Sequence, residues 1–126
     1  MQNNALQKGD LHKRLVKFTV AIIRLAHKHE KDRVLSPIFN QIIRSAGSIG
    51  ANISEASGAS SRLGYARYFH IALQSGNETA YWLDVLEETG INESEILNEL
   101  SGELTEFIKI LTASLKTMKQ PAQRAS

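Results

Sequence analysis

With 126 residues, a formal net charge of +2 and 42% apolar residues, the chain is sized for one ordered domain around one core, not for a disordered polymer. It contains no cysteine, which excludes a disulfide framework, a thiolate nucleophile and a zinc knuckle. Arg24 and Arg44 interrupt the two most apolar stretches, and Met1–Asp10 lacks the apolar centre of a signal peptide, so the expectation is a cytoplasmic protein with no membrane association.

The small net charge hides an uneven distribution. Residues 1–36 carry eight basic and three acidic groups, whereas residues 68–90 carry four acidic groups and no basic one. A basic first half can meet an anionic polymer or the acidic face of a neighbouring subunit.

In chain order, residues 1–9 read as a flexible tail and residues 10–119 as the folded domain, with Asp10 as the cap of a first helix running to about Lys31. Leu11, Leu15, Phe18, Ile22 and Leu25 keep the alternating four-three spacing of a helix that buries one stripe. Lys13, Arg14, Lys17, Arg24 and Lys28 occupy its other faces and are the candidate phosphate-contacting residues. His27 and His29, two positions apart, are poorly placed to share a metal and suit the carbonyl end of the helix.

Ser36-Pro37 predicts a sharp start for a second helix reaching about Ser57. Its apolar stripe is Ile42, Ala46, Ile49, Ile53 and Ala56, and Gly47 and Gly50 make it approachable by a neighbour. A turn is expected near Ser60 and Ser61, then a third helix from about Leu63 to Thr89 capped by Gly90. Trp82 and Tyr81 belong to core or subunit packing, with base stacking as the other use of such rings. A fourth helix begins near Asn92 or Ser94 and carries a seam of Leu97, Leu100, Leu104, Phe107, Leu111 and Leu115; residues 120–126 read as a disordered tail.

A turn at Ser60 and Ser61 between antiparallel helices sets Arg44 opposite Glu78, Ser48 opposite Gln74, Asn52 opposite His70, Glu55 opposite Arg67 and Gln41 opposite Tyr81. These pairs predict a polar ladder between the second and third helices. The alternative is that the same residues face water.

The segments Arg44-Ser-Ala-Gly-Ser-Ile-Gly-Ala-Asn-Ile-Ser-Glu55 and Phe69-His-Ile-Ala-Leu-Gln-Ser-Gly-Asn-Glu-Thr-Ala-Tyr-Trp-Leu83 resemble the two signature stretches of the bacterial four-helix bundle family, also called the 23S rRNA intervening-sequence protein family. Glu55-Ala56 stands where that family usually shows Glu-Gly. The resemblance implies an all-α, antiparallel up-down four-helix bundle assembled as a homopentamer. It further implies kinship with the accessory protein of diversity-generating retroelements, and hence RNA, DNA, a reverse transcriptase or another protein as partner.

Catalysis finds little support in the residues. A di-metal bundle site needs Glu-x-x-His pairs, which this chain lacks, and there is no phosphate-cradling loop, nucleophile elbow or metalloprotease motif. Glu55, His70 and Glu78 are the best raw material for acid–base or metal chemistry, but the ladder accounts for them. The expectation is a non-catalytic oligomer without metal or cofactor, binding nucleic acid through helix one, with a structural or protein-interaction scaffold as the alternative.

Overall fold

A computed structural model describes residues 8–119 as four helices: α1 (Lys8–Lys28), α2 (Leu35–Ala56), α3 (Arg62–Glu88) and α4 (Ser94–Lys119). Of the expected tails at 1–9 and 120–126, residues 1–7 and 120–126 lie outside the described residues, while Lys8 and Gly9 belong to the first turn of α1. Among the described residues there is no strand, and no helix is long and apolar enough to cross a membrane.

Helices α1, α2 and α4 bury the stripes their spacing dictates, whereas α3 buries Phe69, Ala72, Gly76, Thr79, Leu83 and Leu86. Leu11, Leu15, Phe18, Ile22 and Leu25 of α1, Ile42, Ala46, Ile49 and Ile53 of α2, and the α4 seam from Leu97 to Leu115 enter one core with Phe39, Phe69, Leu83 and Leu86. Phe18 meets Phe107 edge-on at 5.3 Å between centroids, a favoured aromatic geometry. In sequence order α1 packs on α2, α2 on α3 and α3 on α4, while Phe18–Phe107 and Arg14–Glu103 join α1 to α4. This places α1 and α3 at opposite corners of an up-down bundle.

The helix ends differ from their expected bounds for local reasons. Asp10 lies inside the first turn of α1, whose positive end it still favours. At α2, Asp32 Oδ1 accepts from the Val34 and Leu35 amides, both at 2.9 Å, so helix begins two residues before Pro37. Pro37 still sits in the first turn, where its missing N–H removes no helical bond. Ser61 Oγ caps α3 by accepting from Gly64 N at 3.0 Å. Gly90 adopts φ +78° just past the end of α3, the left-handed conformation glycine takes without a Cβ clash.

The α2–α3 interface is held by hydroxyls. Thr79 Oγ1 donates to Ser45 Oγ at 2.7 Å and Ser75 Oγ to Ser48 Oγ at 2.8 Å. Ser45 and Thr79 are 4% and 0% exposed, and no buried side-chain polar atom among the described residues lacks a partner. Small side chains let the two helices approach closely here. At Gly76 a Cβ would come within 3.3 Å of Ile108 Cγ1, so α3 uses this glycine to seat against α4.

Candidate nucleic-acid interface and its surroundings

The five basic residues singled out on α1 separate into two groups. Arg14 makes a two-point ion pair with Glu103, through Nε at 3.0 Å and Nη2 at 2.8 Å, and its guanidinium lies 5.3 Å from the centre of the Phe107 ring. The hydrogen bond between the pair holds Glu103 below the ordinary carboxylate range and raises Arg14. Lys28 is similarly committed: its Nζ lies 2.9 Å from Glu93 Oε2. Charges spent on intramolecular partners are poor phosphate ligands.

Lys13, Lys17 and Arg24 are exposed and make no ion pair or side-chain hydrogen bond with any described residue. At 100° per residue they fall within about 40° of one another, opposite the buried stripe, and span about 16 Å along the axis. They therefore form a row of solvent-facing cations, not a scatter.

The polar ladder is not formed as expected. Arg44, Glu55, Arg67, His70, Gln74, Glu78 and Tyr81 are all exposed, and of the expected rungs Ser48 alone bonds across the α2–α3 interface, to Ser75. Arg44 donates weakly to Gln41 at 3.5 Å, Asn52 donates to Ser48 of its own helix, and Glu78 accepts from Trp82 Nε1 at 3.3 Å. The physical reason is cost. A charged pair buried between two helices must repay several kcal/mol of desolvation per ion, whereas Ser45–Thr79 and Ser48–Ser75 satisfy each other without charge. The stripe of α3 that includes His70, Gln74, Glu78 and Tyr81 thus points outward.

A cluster that spacing alone did not reveal closes the end of the bundle. His29 Nε2 lies 2.7 Å from Glu93 Oε2 and its ring stacks on Phe39, with centroids 5.5 Å apart. Glu93, only 10% exposed, thereby joins the end of α1 to the start of α4, and hydrogen bonds from Lys28 and His29 hold its carboxylate below the ordinary range. His27 pairs instead with Glu30 at 3.1 Å. The signal for Glu93 was hidden because its partners lie more than 60 positions away. Among the described residues no three His, Asp or Glu side chains converge to hold a metal ion.

The sequence model of the 23S rRNA-intervening sequence protein family matches residues 7–113. The chain belongs to this family. A crystal structure of a protein of unknown function from the S23 ribosomal protein family of Bacteroides thetaiotaomicron is similar to it, with 34% identity and a TM-score of 0.77. That likeness covers 83% of this chain and 97% of the other. No curated protein matches. Membership in the 23S rRNA-intervening sequence protein family supports the all-α bundle.

Proposed function

We propose that this member of the 23S rRNA-intervening sequence protein family is a non-catalytic, self-associating accessory protein that binds nucleic acid through α1. The observation that carries the reading is the exposed row Lys13, Lys17 and Arg24, left without acidic partners among the described residues while Arg14 and Lys28 are committed to Glu103 and Glu93. The binding residues are thus a subset of the basic residues on α1. A homopentamer would repeat the row five times, and linked weak sites act together as one stronger one.

The row has no base-reading geometry, so the expected mode is phosphate contact with structured RNA or duplex DNA. Binding of each polymer is measured across a salt series for the wild type, for the triple variant Lys13→Ala, Lys17→Ala, Arg24→Ala, and for Arg14→Ala. The triple variant should lose affinity at least tenfold and show a shallower salt slope, because each phosphate contact to duplex contributes about 0.9 to that slope. Arg14→Ala should bind nearly as the wild type does. Equal affinity of the triple variant and wild type contradicts the reading and favours a protein-interaction scaffold.

A further inference from the structure

An open groove runs between α1 and α2. Val16 and Val20 form one wall, Gly47 and Ala51 the other, and Leu15 lies beneath; the groove holds about 290 Å³ and continues past His12 and Ser54 into a hollow of about 390 Å³. Val16 and Ile23, on the same side of α1, are 48% and 46% exposed. At Gly47 an added Cβ would meet no atom within 4 Å, so a glycine that weakens the helix interior serves no contact inside its own chain.

The outer face of α3 has the complementary character. Tyr81 is 60% exposed and stands beside Val85 in a shallow hollow edged by Asp84 and Glu88. Residues 68–90 contain four acidic groups and no basic one, while Lys13 lines the hollow that continues the groove. Because α1 and α3 occupy opposite corners of the bundle, the two faces cannot meet within one chain.

From this complementarity we infer that the α1–α2 groove of one copy receives the Tyr81–Val85 face of α3 from a second copy. The inference rests on the self-association proposed above and specifies its faces. Two different patches in contact make a head-to-tail interface, which closes as a ring or continues as a filament. The cationic row then runs along the rim of every seam and recurs once per copy.

The chain has no native cysteine, so single cysteines report the contact cleanly. Ala51→Cys and Val85→Cys proteins are treated with a short bismaleimide, each alone and mixed after subunit exchange. The mixture should give a crosslinked dimer and each protein alone should give none. A second variant, Gly47→Leu, fills the groove where the chain leaves space; it should keep wild-type helicity while its mass by light scattering falls to that of the 14.0 kDa single chain. Wild-type protein that is itself a single chain overturns self-association and the inference together. A wild-type multimer with no crosslink in the mixture, with crosslinks in a single-variant sample, or with Gly47→Leu still fully assembled overturns these faces alone.

Discussion

Glu93 shows how much one side chain can hold. It is nearly buried, accepts from Lys28 and His29, and connects two helices that are remote in sequence. Glu93→Gln should cost about 1–2 kcal/mol in urea unfolding, since it removes the charge from hydrogen bonds that depend on it. The sign of the pH effect follows from the direction of the shift. Glu93 and Glu103 sit below the ordinary carboxylate range in the folded chain, so their stabilisation is complete above the unfolded value, about 4.3, and is lost as pH falls through the lower folded values. Stability should therefore decline as pH falls below about 4.3, and Glu93→Gln should decline less steeply; parallel pH profiles would contradict the assignment. The glycines divide by the same local reasoning. Gly47→Ala should stabilise the isolated fold by about 1 kcal/mol, whereas Gly76→Leu should cost about 1–3 kcal/mol by overpacking against Ile108. Thermal unfolding of both variants distinguishes them by sign.

At the scale of elements, the apolar stripes were readable because a buried helical face imposes a 3.6-residue period on the sequence, and α1, α2 and α4 bury the residues that period selected. The α2–α3 contact was harder to read. Arg44, Asn52 and Glu55 share a helical stripe with Ser48, so spacing could not say which polar residues face the neighbour; close approach selected the short hydroxyls and left the charged residues outside. The same limit applies to α1: sequence showed five cations, but only three-dimensional proximity reveals that Glu103 and Glu93 occupy two of them. The hydroxyl pair makes its own prediction. Thr79→Val should cost about 1–3 kcal/mol by leaving Ser45 less well satisfied, while adding Ser45→Ala should recover part of that loss. Additive losses in denaturant unfolding would show that the two residues do not act as a pair.

At the scale of the whole molecule, a modest net charge coexists with faces of opposite sign at opposite corners of the bundle. One corner carries Lys13, Lys17 and Arg24 beside an apolar groove; the other carries Tyr81 and Val85 among acidic residues. Such polarity suits a molecule that both joins to itself and presents a repeated cationic rim. The central claim is that the three-residue row on α1 binds phosphate, and its most direct test is the salt dependence of structured-RNA binding by the wild type and the Lys13→Ala, Lys17→Ala, Arg24→Ala variant at matched oligomer mass. The account predicts steep salt dependence for the wild type, and for the variant a flatter slope with at least tenfold weaker binding at low salt. Superimposable curves would contradict it.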